Sequence, residues 1–300
     1  MIDLSIIIVS YNTKNITRQC LTALQKSLKK SPKIKTEIII VDNASTDGSV
    51  TFLKKFQETS SKSQTKTNIQ VINNRVNVGF GKANNQGVKK AHGTYILFLN
   101  SDVVVDNVNF GQLIQYMQKD TDIGVLTVKV KLPHGSIDPA SHRGFPTIWR
   151  SFCYYAGLKS LFKKIPILSR VFGGYHLTHL DLKKIHEIDS PTAAFYLTKK
   201  DIFDDVGGFD ESFFMYGEDL DLSYRIKKEG YKIIYYPLYS VLHLKYQSGL
   251  QHEEDGIKKL TKKYFYDAMK IFYDKHYGPK NNFLVNKFIH LAIECKKRMF

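Results

Sequence analysis

The sequence is poor in the features that mark several common classes of protein. Its 300 residues include only three cysteines, an odd number, and no C-x-x-C pair. The cysteines lie far apart in the chain, so the sequence indicates neither a disulfide framework nor a cysteine-ligated zinc site. Few and unpaired cysteines favour a reducing compartment, and we expect a cytoplasmic protein.

Long hydrophobic runs are also missing. A membrane-spanning helix needs about 20 consecutive apolar residues, and no run approaching that length occurs, so we predict no spanning helix. The first apolar run, residues 4–9, is short and follows no basic segment. It therefore predicts a strand rather than a signal peptide.

Two glycine-rich motifs of nucleotide-binding proteins are absent. Gly79 and Gly81 would need a third glycine at position 84 to complete the dinucleotide fingerprint, and Asn84 stands there. The phosphate-loop sequence G-x-x-x-x-G-K-[ST] does not occur either. These absences disfavour NAD and phosphate-loop ATP chemistry, but a nucleotide held by carboxylates and a metal ion remains open.

Acidic residues are scarce, with 28 Asp and Glu against 44 Lys and Arg, and the formal net charge is +16. Most of the excess lies in two segments: residues 150–186 carry seven Lys or Arg against one Asp, and residues 257–300 carry eleven against three Asp or Glu. Both segments also contain aromatic and aliphatic residues, a combination that suits an anionic membrane surface. Nucleic acid and a plain solvated basic face are the alternatives.

Strand and helix patterns alternate along the first half of the chain. Short apolar runs predict strands at residues 4–9, 37–41, 69–72, 95–99 and 123–128. Apolar residues at helical spacing predict helices between these runs. The alternation is typical of an α/β fold with a mostly parallel central sheet flanked by helices.

The alternation stops after residue 132. Residues 133–186 combine glycine, proline and basic residues with short apolar groups, which predicts an excursion that is partly helical and partly loop. Further on, we predict strands at 194–198 and 231–236, helices at 200–206 and 218–229, and amphipathic helices beyond 256 with a break at Pro279. We therefore divide the chain into a domain of residues 1–250 and a basic helical extension of residues 251–300.

Polar residues follow each of the first four predicted strands. They are Ser10, Tyr11 and Asn12 after the first, Asp42 and Asn43 after the second, Arg75, Asn77, Gly79 and Asn84 after the third, and Asn100, Ser101 and Asp102 after the fourth. Each group taken alone is typical of a turn or a helix cap. Parallel strands end at a common edge, where open α/β sheets bind ligands, so four such groups predict a pocket.

Two of these groups suit particular ligand atoms. Asn100 and Asp102 are two positions apart and can point the same way, where they could hold a ribose hydroxyl and a hard divalent cation. Asp42 could accept a hydrogen bond from a base or a ribose. His243, after the last predicted strand, is either a metal or phosphate ligand or a structural histidine.

Residues 209–222 form a second dense stretch, in which Glu218 and Asp219 stand at a predicted helix start. A carboxylate there can simply favour the helix dipole. However, aromatic neighbours can raise the proton affinity of a carboxylate, as a general base requires. Asp221 faces another way and is predicted to be structural, paired with Arg225 one helical turn later.

Taken together, these motifs resemble those of family 2 glycosyltransferases, most of all the bacterial rhamnosyltransferase-type members. The matching segments are residues 5–12, 41–47, 77–87, 99–102 and 207–222. Singly none is specific, but their order and spacing in combination are. The resemblance implies the GT-A fold, a nucleoside-diphosphate-sugar donor, Mg²⁺ or Mn²⁺, and inverting transfer to a hydroxyl of a glycan or lipid-linked acceptor, possibly of rhamnose in cell-surface polysaccharide synthesis.

The resemblance also implies roles for single residues. Asp42 would contact the base or ribose, and Asn100 with Asp102 would form an N-x-D version of the family's D-x-D motif. Asp102 would bind the metal, and His243 would lie near the diphosphate or the metal. Asn100 departs from the D-x-D pattern and removes one carboxylate from the metal site.

In the same scheme Asp219, of the Glu218–Asp219 pair, would be the catalytic base. Residues 1–130 would bind the nucleotide, and residues 131–250, with the basic insertion 133–186, would face the acceptor. The enzyme would work peripherally at the inner face of the plasma membrane.

Two readings of other classes stay open from the sequence. The basic segments could bind nucleic acid, although they lie outside the predicted pocket and contain no recognised module, so we expect no nucleic-acid partner. A catalytically inactive sugar-nucleotide-binding protein is the other, and the intact Asp102 and Asp219 argue against it.

Overall fold

A computed structural model describes residues 1–62, 67–161, 165–245 and 255–299. The strands in this part of the chain are β1 (Ile2–Ser10), β2 (Thr36–Asp42), β3 (Asn68–Asn73), β4 (Gly93–Leu99), β5 (Val103–Val104), β6 (Ile123–Lys131), β7 (His186–Glu187), β8 (Phe195–Lys199) and β9 (Lys232–His243). They form a single nine-stranded sheet.

The helices surround this sheet. They are α1 (Lys14–Leu28), α2 (Ser49–Lys62), α3 (Phe80–Val88), α4 (Phe110–Lys119), α5 (Ile148–Tyr155), α6 (Leu158–Leu161), α7 (Pro166–Phe172), α8 (Lys200–Asp205), α9 (Glu218–Lys228), α10 (Asp255–His276) and α11 (Phe283–Met299), with 3₁₀ turns at Pro139–Ser141 and Gly278–Lys280. None of the helices within the described ranges is long and apolar enough to cross a bilayer.

The strand order is β3-β2-β1-β4-β8-β6-β9-β5, with β7 beside β9. The first four strands in this order are parallel to one another, and β6 is parallel to β9. β8 is antiparallel to both β4 and β6, and the two-residue strands β5 and β7 are antiparallel to β9. The predicted α/β fold with a mostly parallel sheet is therefore confirmed, with β8 as an antiparallel insertion at its centre.

The sheet is buried on both faces. Ile6 and Ile8 of β1 belong to a hydrophobic cluster with α1, α2 and α4, whereas Ile7 belongs to a second cluster with α3, α8 and α9. Successive strand residues point to opposite faces of a sheet, so a strand covered on both sides needs an unbroken apolar run. This is why the short apolar runs of the sequence predict the strands correctly.

One predicted strand differs from the structure in extent. β9 continues to His243 rather than ending near residue 236, so His243 is the last residue of the strand. Pro237 interrupts the apolar pattern, and the pairing with β6 jumps from Tyr236 to Ser240 between adjacent β6 residues. The predicted excursion 133–186 holds a 3₁₀ turn, α5, α6, α7 and β7 in its described part.

Candidate active site

The loops after β1, β2 and β4 meet at one edge of the sheet. Ser10 pairs with Asp42 at the ends of β1 and β2. Thr13, after β1, has its hydroxyl 3.2 Å from the hydroxyl of Ser10 and 3.4 Å from that of Ser101, which follows β4. The polar groups predicted from these three strand ends therefore share one edge of the sheet, which we call the rim.

Asp42 anchors the part of this rim that the resemblance assigns to the nucleoside. The Ser45 amide donates to Asp42 Oδ1 at 2.8 Å. The Thr46 amide donates to Asn12 Oδ1 at 2.7 Å, and Asn12 has a left-handed φ of 52°. Asp42 Oδ2 is buried and has no hydrogen-bond partner among the described residues. This oxygen can accept a hydrogen bond from a ligand. Tyr11, the residue after Ser10, is exposed.

The residues after β2 and β3 bond mainly to one another. Asn43 Nδ2 donates to Asn77 Oδ1 at 2.8 Å, and the Gly79 amide donates to the same oxygen at 3.0 Å. Gly79 has a φ of +88°, and a Cβ there would lie 2.7 Å from the Phe214 carbonyl oxygen, so the position requires glycine. This network holds the loops after β2 and β3 together. Asn84 is buried and donates to the Phe80 carbonyl, and Arg75 is exposed.

The loop after β4 carries the N-x-D motif. Asn100 Oδ1 is buried without a hydrogen-bond partner in the described part of the chain. The Asp102 side chain is buried, and its Oδ1 lies 3.2 Å from His243 Nε2 at the end of β9. Two residues 141 positions apart, Asp102 and His243, are thus in direct contact, as a shared metal or phosphate role requires.

His243 is held between two carboxylates. Its Nδ1 lies 3.2 Å from Asp138 Oδ2, and Lys245 Nζ lies 2.9 Å from Asp138 Oδ1. Burial disfavours the charged imidazole, but the hydrogen bonds to Asp102 and Asp138 outweigh burial and raise the pKa of His243 to about 9. Asp138 also fixes the orientation of the ring, as carboxylates commonly do behind metal-binding histidines.

The donor atoms at this point fit a divalent cation that is shared with a substrate. No cluster of three or more His, Cys, Asp or Glu side chains that could hold a metal occurs in the described residues. Mg²⁺ at phosphate sites, however, commonly takes only one or two carboxylates and completes its shell with water and substrate phosphate oxygens. The Asp102 carboxylate and the unpartnered Asn100 oxygen match this requirement, and His243 Nε2 would join them as a ligand on losing its proton.

Asp219 reaches the same rim from α9. Arg143 Nη2 donates to Asp219 Oδ2 at 2.8 Å, and the Ala193 amide donates to it at 3.2 Å. The next residue, Ala194, accepts a hydrogen bond from the amide of Asn100. Because β8 is antiparallel to β4, its start lies beside the end of β4. Asp219 is therefore close to the N-x-D motif.

Glu218 is a buried carboxyl group with an unusual proton affinity. Its Oε2 has no hydrogen-bond partner within the described ranges. Burial, and secondly the charge of Asp219, raise the pKa of Glu218 to about 8. At neutral pH Glu218 thus holds a proton, and Asp219 is the member of the pair that Arg143 contacts.

Three residues of this site carry no functional signal in the sequence. Asp138 precedes Pro139 and accepts from the Ala140 amide, so it is indistinguishable from an ordinary turn residue. Arg143 and Lys245 are single basic residues in a basic chain. Asp138 and Arg143 come from the insertion 133–186, which therefore contacts both His243 and Asp219 and completes the site.

Comparisons with known proteins identify the family of the chain. The sequence model of glycosyl transferase family 2 matches residues 5–181. An N-acetylglucosaminyl-diphospho-decaprenol L-rhamnosyltransferase of Mycobacterium tuberculosis is 25% identical over 222 residues, which are 70% of this chain and 67% of that protein. Rhamnosyltransferase WbbL of Escherichia coli is 27% identical over 184 residues, or 55% of this chain and 60% of WbbL.

Solved glycosyltransferases share the fold. The crystal structure of GalNAc-T7 with UDP, GalNAc and Mn²⁺ superposes with a TM-score of 0.61 at 15% identity. The superposition covers 90% of this chain and 47% of that one, so this chain spans about half of the GalNAc-T7 chain. The fold is therefore GT-A, as the resemblance implied.

Proposed function

The chain belongs to glycosyl transferase family 2, and from this premise we propose that it moves a sugar from a nucleoside-diphosphate donor to a hydroxyl of a glycan or lipid-linked acceptor. One observation carries the proposal: Asp42, the N-x-D motif and Asp219, which are distant in sequence, lie around one edge of the sheet. The rhamnosyltransferase relatives support rhamnose as the sugar and cell-surface polysaccharide synthesis as the setting.

The donor nucleoside is proposed to bind at the ends of β1 and β2. Asp42 Oδ2, buried and without a described partner, accepts from the base or the ribose. A buried carboxylate oxygen without a partner is costly, so a ligand donor that reaches it gains a strong hydrogen bond. The Asn43–Asn77 network keeps the adjoining loop in place.

The diphosphate is proposed to lie over the N-x-D motif, where Asp102 and His243 would hold Mg²⁺ or Mn²⁺. When bound, the cation offsets the negative charge that develops on the leaving nucleoside diphosphate. Asp138 holds the His243 ring so that Nε2 faces Asp102. Lys245 balances the charge of Asp138.

The transfer is proposed to be a single displacement with Asp219 as the base. The acceptor oxygen attacks the anomeric carbon, the bond from that carbon to the diphosphate breaks, and the hydroxyl proton passes to Asp219. Attack from the face opposite the leaving group inverts the anomeric centre, so no covalent enzyme intermediate forms. Arg143 and the Ala193 amide hold the Asp219 carboxylate in position.

Thermal-shift screening of nucleotide sugars with Mg²⁺, with Mn²⁺ and with EDTA tests this function. We expect the correct donor to raise the Tm when a metal is present, because a ligand at 100 times its Kd stabilises the folded state by about 2.7 kcal/mol. Asp42→Asn and Asp102→Asn should each lose this shift, while Asp204→Asn, an exposed substitution in α8, should retain it. No shift with any nucleotide sugar in either metal would contradict the proposal.

A further inference from the structure

Exposed apolar side chains are concentrated on two parts of the surface outside the active site. Trp149 and Phe152 on α5 and Ile167 on α7 are 49 to 77% exposed. Leu284, Phe288 and Leu291 on α11 are 61 to 73% exposed. Their spacing places Leu284, Phe288 and Leu291 on one face of α11, because residues three and four apart are neighbours on a helix.

These two parts of the surface adjoin each other. Trp149 lies against Phe172, with ring centroids 5.8 Å apart, and Trp149 Nε1 donates to the Val171 carbonyl, so α5 and α7 are side by side. Tyr155, at the end of α5, donates to Met269 Sδ of α10, and Lys296 of α11 lies 5.2 Å from the Tyr155 ring centroid. We call the combined area of α5, α7 and α11 the apolar-basic surface.

The helices that form this surface are basic. Together α5, α7 and α11 contain six Lys or Arg against one Glu, a net charge of +5. Lys287 is interleaved with Leu284, Phe288 and Leu291 on α11. Long basic side chains can lay their stems on apolar surface while their charged ends reach a phosphate layer.

We propose that the apolar-basic surface docks on an anionic lipid bilayer. Exposed aromatic and aliphatic side chains enter the boundary between head groups and acyl chains, and the surrounding lysines and arginines contact the anionic head groups. The inference goes beyond the proposed function, because docking on lipid requires neither donor nor acceptor.

The composition of the apolar-basic surface argues against two other partners, a second copy of the chain and a nucleic acid. A second copy of the chain would place two strongly positive segments against each other, which opposes self-association through this area. Nucleic acid would satisfy the basic residues, but the exposed aliphatic side chains of α7 and α11 would gain nothing from a phosphate backbone. An anionic bilayer satisfies both the charge and the apolar side chains.

Trp149 provides a direct test, because it is the only tryptophan in the chain and lies within the surface. The full-length protein, without nucleotide, is titrated with phosphatidylglycerol vesicles and with phosphatidylcholine vesicles while tryptophan emission is recorded. We expect a shift to shorter wavelength and quenching by brominated lipid with phosphatidylglycerol. Added salt should weaken the effect, and phosphatidylcholine should give little change.

A charge-matched pair of double variants tests the contribution of α11. We expect Leu284→Glu with Phe288→Glu to weaken vesicle binding at least tenfold, and Val76→Glu with Leu238→Glu to leave it unchanged. Val76 and Leu238 are each 66% exposed and lie outside the apolar-basic surface. Circular dichroism and the donor-induced Tm shift show whether each variant is folded and whether the proposed function holds independently.

Several results would overturn the inference. They are an unchanged Trp149 spectrum with phosphatidylglycerol at low salt, a spectral shift that depends on protein concentration without vesicles, a shift with short nucleic acids but not with vesicles, and equal vesicle binding by the two double variants. The second of these would indicate self-association, and the third would indicate a nucleic-acid partner.

Discussion

At the scale of single residues, two adjacent carboxyl groups of the site have different surroundings. Glu218 is buried next to another carboxylate and holds its proton at neutral pH. Asp219 forms an ion pair with Arg143 and accepts hydrogen bonds from the backbone amides of Ala193 and Leu220. Pairs of titratable groups with divergent environments commonly take different catalytic roles. We therefore expect different consequences from removing each carboxylate.

Asp219→Asn should reduce transfer by about 10²-fold or more, because general base catalysis contributes about 10²- to 10⁴-fold. Glu218→Gln should keep activity at pH 7 within about tenfold, since glutamine resembles the neutral carboxyl group. Both variants should retain the donor-induced Tm shift, which separates chemistry from binding. Near wild-type turnover of the Asp219→Asn variant would move the role of base to Glu218.

Glu218 also gives the stability of the protein a defined pH dependence. The folded state keeps the Glu218 proton up to about pH 8, whereas an unfolded glutamate loses it near its ordinary pKa of 4.5. Between these pH values the unfolded state binds fewer protons, so the free energy of unfolding contributed by this group falls as the pH rises. The Tm of the wild type should therefore decline relative to that of Glu218→Gln between pH 5 and pH 8. A constant difference across this range would contradict the assignment.

At the scale of secondary-structure elements, Asp221 joins α9 to α10. His276 Nε2 and Lys275 Nζ of α10 lie 2.7 and 2.8 Å from Asp221 Oδ1, and Arg225 of α9 pairs with Oδ2. Burial opposes ionisation, but the hydrogen bond with His276, and the charge and hydrogen bonds of Arg225 and Lys275, lower the pKa of Asp221 to about 2. The sequence-based prediction that Asp221 is structural agrees with these contacts.

Asp221→Asn should lower the free energy of unfolding by about 3–5 kcal/mol, because breaking a buried ion pair leaves buried charges without a counter-ion. Urea denaturation measures this change directly. Asp204→Asn removes an exposed ion pair with Lys200 in α8 and should cost about 1 kcal/mol or less. Equal midpoints for these two variants would show that Asp221 does not join the helices energetically.

The elements that could be predicted from the sequence are those with a local signal. Nearly unbroken apolar runs predict β1, β2 and β4, because these strands are buried on both faces. The antiparallel direction of β8 and the extension of β9 to His243 depend on neighbours that are distant in sequence. Residues of the site can depend on distant neighbours in the same way. Asp138 and Arg143 contact His243 and Asp219 only in the folded chain.

At the scale of the whole molecule, the site draws on both halves of the chain. Asp102 comes from residues 1–130, whereas Asp138, Arg143 and His243 come from residues 131–250. β8 and β9 bring the second half into the sheet that the first half begins. Division into a nucleotide-binding half and an acceptor-side half stays a prediction, and neither half alone contains the complete rim.

The C-terminal helices also take part in the packing of the molecule. Phe272 and Ala268 of α10 form a hydrophobic cluster with Phe213 and Leu220, which flank the Glu218–Asp219 pair. α10 further supplies His276 to the buried Asp221. The predicted boundary at residue 250 lies outside the described residues, but α10 beyond it packs on residues next to the Glu218–Asp219 pair.

Two truncated chains should accordingly show that α10 and α11 have different roles. A chain ending at residue 250 loses the hydrophobic cluster and the α10 cations of Asp221, so we expect it to aggregate or to unfold at much lower urea concentration. A chain ending at residue 282 keeps α10 and should unfold cooperatively and retain the donor-induced Tm shift, but it should lose most vesicle binding. Size-exclusion chromatography and urea denaturation distinguish the two. If the shorter chain unfolds at the same urea midpoint as the full-length protein, the residues beyond 250 are a separate appendage, and the packing of α10 against α9 does not stabilise the catalytic region.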